Sequence, residues 1–375
     1  MPWLVFAPFA LGSISCGGKL TSPTDHAVFL SRVTGPTSVM GSCPEDLQLP
    51  STNDTAVRWD IGGADLGITW DNGRGEIVVA FGDTFKFGDT TASPARFTDW
   101  RHNAIGFSID KTPYDGISIA RMLEDHPGHA REIIGRSAGV AQEQSVVPTA
   151  GIAVGARNYM FYMSVKQWGA GSGWLTNYSS IVYSDDGGET WTPSDARWPS
   201  ISRFAQTGLA LDGGYVYVMG TPAARKGALH LARVSPDDVL DPSKYEYFTG
   251  SDWVLGDETK AGTIAPAPVG EISLHKNAGS GLWQLTYLNF RRRAIVLRTA
   301  SALTGPWSAE RVLIETGDAA HPGVYGGFQH PWFNDGPDVF LTVAKKVPCY
   351  DTFLVEIPAA PLDGSEPSSG NVAAR

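Results

Sequence analysis

Three carboxylates stand where a strand-rich sequence seldom places one. Asp65 lies in GGADLGITWD, Asp83 in VAFGDTF and Glu271 in VGEISLH, each in or beside an apolar run next to glycine. Burying an unpaired charge is costly, so such a residue is paired, protonated or functional. The bland alternatives are a structural hydrogen-bonding role for Asp65 and Glu271, and a turn cap to Thr84 for Asp83. Carboxylates without a cysteine nucleophile or a metal cluster point to glycoside hydrolysis. One carboxylic acid protonates the leaving oxygen, and a second carboxylate acts as nucleophile or as base for water. Burial and like-charge proximity push the two pKa values apart and so assign the roles.

Sugar chemistry also needs aromatic platforms. Trp100, Trp168, Trp174 and Tyr178 lie in the loop-like segments TDWRHN and KQWGAGSGWLTNY. Four polar residues join the substrate-binding set: Glu143 in AQEQSVVPTAG, Gln206 in FAQTGLAL, and Gln329 and His330 in GGFQHPW. Against them stand a solvated loop carboxylate for Glu143 and a satisfied core histidine for His330. His126 and His129 form an HPGH pair, but Pro127 and Gly128 break helical spacing, so the pair reads as a surface turn. No CxxC or Cys/His cluster exists, which argues against structural zinc, and neither metal nor cofactor is expected. GAGSG is a weak phosphate cradle, because no helix follows it.

The elements that must position these residues are short strands. From about Trp59 onward, apolar runs such as GEIVVAFGDTF, YMFYMSV, YVYVMGT, LWQLTYLNF and DVFLTVA alternate with turn signals such as DNGRG, DGG and NDGPD. Long helical periodicity is nearly absent. The strands group into about five similar units of about four strands, which predicts an all-β, five-bladed β-propeller in one domain. A β-sandwich would not predict the Trp that recurs at unit ends (Trp191, Trp253, Trp307). First strands of blades converge on the axis, so their polar residues, Asp65 and Glu271 among them, are the ones to weigh. SDDGGETW (Ser184–Trp191) fits the Asp-box pattern and reads as a folding corner. A sialidase reading fails, since the early Arg-Ile-Pro strand is missing and only one complete Asp box is present.

Composition narrows the class. The 375 residues are 42% hydrophobic, with 43 Gly, 25 Pro and 12 Trp, and carry a net charge of -10. That charge argues against a nucleic-acid partner. Residues 1–45 read as a leader and N-terminal extension. MPWLVFAPFALGSISCGG resembles the later part of an export signal without its basic start, with Cys16 a weak candidate for lipidation and a plain leader as the alternative. No segment is long and apolar enough to span a membrane. Residues 46–358 read as the catalytic propeller and 359–375 as a disordered tail. Cys43 and Cys349 fall near the two ends of the ring, as a closing disulfide or as two separate thiols. A monomer is expected.

One ordered set of motifs resembles a known family: NDT, DLGITW, FGDTF, WRHN, VPTAGI, YMSVKQWG, TNYSSI with SDDGGETW, LARV, YEYF, VGEISL, RTA and TGPWS. The set covers nearly the whole chain from Asn53 and is similar to an actinobacterial family, long a domain of unknown function, whose studied members are endo-D-arabinanases. The resemblance implies a five-bladed propeller that cleaves within the D-arabinan of mycobacterial arabinogalactan and lipoarabinomannan. It implies an exported or envelope-associated protein, or a phage-borne lysis factor. It puts Asp65, Asp83 and Glu271 in family motifs, and its WRHN motif adds Arg101 and Asn103 to the substrate-binding set. The roles expected are Glu271 as general acid, Asp65 as nucleophile or base, and Asp83 as the residue that tunes them. Two other readings stay open: a non-catalytic wall-polysaccharide-binding propeller, and a glycosidase acting on another furanoside.

Overall fold

A computed structural model of the chain describes residues 27–37, 48–87, 97–140, 142–169, 173–317, 323–346 and 350–359. The export signal with Cys16, the Cys43–Cys349 pair and the tail from residue 360 lie outside the described residues.

Five antiparallel sheets form the blades of a propeller. Their innermost strands are Gly63–Asp71, Ser145–Val154, Gln206–Asp212, Ile272–Lys276 and Val324–Gln329, the five first strands that the sequence units predict. These strands pack side by side around the axis, and the last returns against the first. Outward from each, hairpins add strands whose apolar faces meet those of the next blade. Leu209, Val218 and Ala232 of the third blade thus bury against Phe161, Ile181 and Trp198 of the second. Among the described residues no helix is long and apolar enough to cross a membrane.

The ring closes with chain from the other end of the sequence. Val28–Arg32, expected in the extension ahead of residue 46, is the outer strand of the fifth blade and pairs with Thr352–Ile357. The propeller therefore starts before the boundary that composition suggested. A leader and an edge strand of five residues look alike until their partner is known. Arg32 and Asp351, both buried, face each other at 3.5 Å across this seam, and Thr34 Oγ1 donates to Asp351 at 3.0 Å. Burial raises Asp351 to about 7, with Arg32 pulling the other way.

The Asp-box corner joins the second blade's strands Trp174–Ser184 and Thr192–Pro199. Ser184 Oγ accepts from Gly188 N at 2.8 Å and donates to Asp186 at 2.7 Å. Asp186 also accepts from the backbone N–H groups of Glu189 and Thr190 and from the Thr190 hydroxyl. Gly187 and Gly188 take φ of 85° and 105°, which side chains other than glycine resist. Trp191 meets Trp70 of the first blade edge-on at 6.3 Å, and Asn72 of that blade donates to Gly187 O. The corner thus clasps two neighbouring blades at the Asn72 end of the first inner strand. Asp65 stands seven residues back along that strand, about 23 Å away at the usual rise.

Candidate functional site

A distortion in the first inner strand aims Asp65. The pairing of Gly63–Asp71 with Ile77–Phe87 slips on both sides of Leu66. Leu66 itself takes φ 67°, in the left-handed region that a leucine avoids. Bulges of this kind redirect a side chain out of the regular alternation. Asp65 therefore opposes Gly82 and Asp83 of the neighbouring strand, and a Cβ at Gly82 would collide with Asp65 Oδ1. The glycine in FGDTF makes room for one carboxylate beside the next.

These residues floor a cavity that opens on the axis, with about 510 Å³ of empty space when the open solvent at its mouth is included. Its walls include Asp65, Asp83, Glu271, Gln206, Arg225, Tyr325, Trp168 and Trp174, with Leu66, Met163 and Phe328 as apolar filling. Asp65 Oδ2 accepts from the hydroxyls of Tyr325 and Tyr350, each at 2.7 Å. Asp65 Oδ1 is buried and has no hydrogen-bond partner among the described residues. Burial raises Asp65 to about 6, against the pull of the two tyrosines and Arg225 and with added repulsion from Glu271. Burial, and next the charge of Asp65, raise Asp83 to about 7. Asp83 Oδ1 accepts from Ser145 Oγ at 2.5 Å and from Trp100 Nε1 at 3.3 Å. Both donors use one oxygen, which leaves Oδ2 to carry a proton.

Glu271 sits just ahead of the fourth blade's inner strand, and Arg225 donates two N–H groups to its Oε1. Its Oε2 is buried and has no partner among the described residues. The Arg225 guanidinium is itself held between Trp174 and Tyr325, 5.3 and 4.9 Å from the ring centres. Charge-assisted bonds from this guanidinium fork fix the Glu271 carboxylate in place against the cavity wall.

The aromatic rim is partly as expected. Trp100 and Trp168 are 48% and 42% exposed, and Trp174 is buried beneath Trp168, with ring centres 5.8 Å apart. Tyr178 is buried and hydrogen-bonds Ser137 at 2.5 Å, outside the cavity lining.

Five expected substrate contacts are corrected. Arg101 donates to the backbone carbonyls of Ala130 and Asp60. Asn103, fully buried, bonds four backbone groups of Ile133, Ile134 and Val146. Glu143 accepts from Ser137 N and from Ser164 Oγ. Gln329 ties its strand to Ser273 and Gln284 of the fourth blade. His330 stacks on Phe333 at 3.7 Å in the core. None of the five lines the axial cavity. Each is polar because a buried backbone needs partners, and sequence polarity does not separate that need from binding.

Arg225, Tyr325, Tyr350, Ser145 and His102 escaped the sequence reading. His102 Nε2 accepts from Arg136 at 3.1 Å, so Nδ1 carries the hydrogen, and it lies 4.0 Å from Asp83 Oδ1. Tyr325 had a usable signal, because it lies four residues before Gln329 in YGGFQ and would share its face at strand period, until the register shift at Gly326–Phe328 parts them. Arg225 had none: it follows a strand in a loop and takes φ 53°.

The chain is similar to a wider set of proteins. A family model described as Domain of unknown function (DUF4185) matches residues 50–356. Notoamide biosynthesis cluster protein J' of Aspergillus versicolor is 28% identical over 329 residues, covering 82% of this chain and 87% of its own. Notoamide biosynthesis cluster protein J of Aspergillus sp. (strain MF297-2) is 29% identical over 313 residues, covering 78% and 82%. Among solved structures, a provisionally named hydrolase from Bacteroides ovatus ATCC 8483 superposes with a TM-score of 0.57 at 12% identity, over 80% of this chain and 87% of that one. At that identity it shows the shared propeller fold alone.

Proposed function

The chain belongs to the DUF4185 family, and from that premise and the axial cavity we propose that it is an endo-acting glycoside hydrolase of D-arabinan. The observation that carries the reading is the Asp65–Asp83 pair. Two adjacent buried carboxylates, raised to about 6 and about 7, are poised to hold one proton between them near neutral pH. Asp83 acts as the acid, with Oδ1 fixed by Ser145 and Trp100 and Oδ2–H presented to the leaving oxygen. Asp65 acts as nucleophile or base through Oδ1, oriented by the two tyrosine hydroxyls on Oδ2. Burial keeps those phenols protonated, so they remain donors. Glu271 and Arg225 form a fixed charged wall that positions sugar hydroxyls. Trp168 gives a stacking face at the mouth, and Trp100 meets the site through its bond to Asp83.

The test is a digestion. The purified chain is incubated with mycobacterial arabinogalactan, and the soluble products are profiled. Short D-arabino-oligosaccharides support the proposal. Binding without release points to a lectin-like propeller, and release from L-arabinan alone points to another furanoside; either result sinks the D-arabinanase reading. The names of the two fungal relatives favour a second reading, in which the cavity acts on a small molecule made by a biosynthetic cluster. Inertness toward every polymer would move the weight there. The protein's place is proposed as outside the cell or at the envelope, acting as a monomer.

A further inference from the structure

The HPGH turn holds donor atoms that a turn alone does not require. Glu124–His126 and His129–Ala130 form a small hairpin in the first blade. Glu124 Oε2 accepts from Gly128 N at 3.1 Å, and Gly128 takes φ 82°, so the tip is closed without help from the histidines. One donor atom from each of Asp125, His126 and His129 lies within 4.8 Å of the others. His129 Nδ1 is 2.7 Å from Asp125 Oδ1, and His126 Nε2 is 3.7 Å from that same oxygen. The second separation is too long for a hydrogen bond. It is close to the about 3.3 Å between ligand atoms on a tetrahedral ion with bonds near 2.0–2.2 Å. The two imidazole rings stack 4.5 Å apart and 20° from parallel, so His126, which is exposed, must turn about its side-chain bonds for both rings to face one ion.

His129 has a further partner. Its Nε2 lies 2.9 Å from Asp99 Oδ2. Asp99 takes φ 52°, in the left-handed region that aspartate visits more readily than most residues, and Arg101 Nη2 approaches its carboxylate at 3.4 Å. A carboxylate that accepts Nε2–H leaves Nδ1 as the nitrogen that an ion would take, in place of the hydrogen bond to Asp125 that the 2.7 Å separation allows. Histidine ligands of metal ions are oriented this way by an outer carboxylate.

We propose that Asp125, His126 and His129 form a surface site for a divalent cation of the zinc class, with Asp99 orienting His129 and one coordination position left to water. Two imidazoles and one carboxylate suit zinc, cobalt or nickel better than calcium or magnesium, which prefer oxygen. The ion would join the hairpin to Phe97–Arg101, the strand that also carries Trp100. The inference stands independently of the glycosidase reading. The rival arrangement is an imidazolium clamped between Asp99 and Asp125, which binds no ion.

The test uses the full chain without a histidine tag, titrated with Zn²⁺ by calorimetry at about pH 7.5, where imidazole ligands are free of protons. One saturable equivalent is expected, with Tm rising by a few degrees at saturating zinc. His126→Ala, an exposed change, should weaken binding at least about tenfold, and Asp99→Asn by about ten- to a hundredfold. Co²⁺ should give a visible absorption band that His126→Ala removes. No saturable binding below about 100 µM zinc, or binding unchanged in His126→Ala, would overturn the assignment.

Discussion

Asp186 in the Asp-box corner and Asp83 on the axis are the same residue in opposite circumstances. Burial pushes Asp186 upward, yet hydrogen bonds from Thr190, Ser184 and Glu189 hold it down at about 2. Burial, and next the like charge of Asp65, raise Asp83 to about 7, against the pull of two donors that share one oxygen. The satisfied carboxylate builds a corner. The under-satisfied one is left with a proton to give. The contrast separates a motif that folds the chain from a group that can act on a substrate, although the motif is the more conspicuous in the sequence.

The largest way to break this contrast is Asp83→Asn. It should lower kcat on D-arabinan by about 10²–10⁴-fold, as removal of a general acid does. The same change should leave Tm equal or higher at pH 8. Asp83 titrates in the fold near 7, above its ordinary 3.8. Its contribution to stability is therefore fully present below 3.8 and is lost as pH rises through about 7. Asparagine removes that cost. Circular dichroism melts at pH 5 and pH 8 check this, and a large Tm loss at pH 8 would mean that Asp83 is structural.

Trp168→Ala sharpens the contrast at the rim. Loss of an exposed stacking face should raise KM about tenfold with kcat nearly unchanged, and initial rates over a range of oligosaccharide concentrations check it. The smallest effect on activity belongs to Asp186→Ala. It should cost about 1–2 kcal/mol, seen as a Tm lower by a few degrees, and keep kcat/KM within about twofold. An activity loss matching that of Asp83→Asn would erase the distinction between the two ends of the propeller.

The propeller was legible because its signals are local. Alternating Val, Ile and Tyr runs, glycine turns and a Trp per unit each act within about a dozen residues. The Asp box was legible for the same reason, since its bonds span four residues or fewer. The acidic trio showed because a carboxylate is conspicuous in or beside an apolar strand. What surrounds it did not show. Tyr325 and Tyr350 reach Asp65 from 260 and 285 residues away, and only ring closure brings them there. Arg225 meets Glu271 across 46 residues from a loop with no pattern of its own. Arg101 and Asn103 misled because a buried backbone carbonyl recruits the same polar side chains that a sugar would. The closing strand Val28–Arg32 was hidden because an edge strand without its partner is only a short apolar run.

The pH dependence of kcat/KM tests the central claim most directly, because it reads the Asp65–Asp83 pair in the free enzyme. The account predicts a narrow bell, with an acid limb near 6 as Asp65 takes up a proton and an alkaline limb near 7 as Asp83 loses one. Asp83→Asn should abolish the alkaline limb in whatever activity remains. A rate that stays flat from about pH 5 to 8, or the same bell in Asp83→Asn, would contradict it.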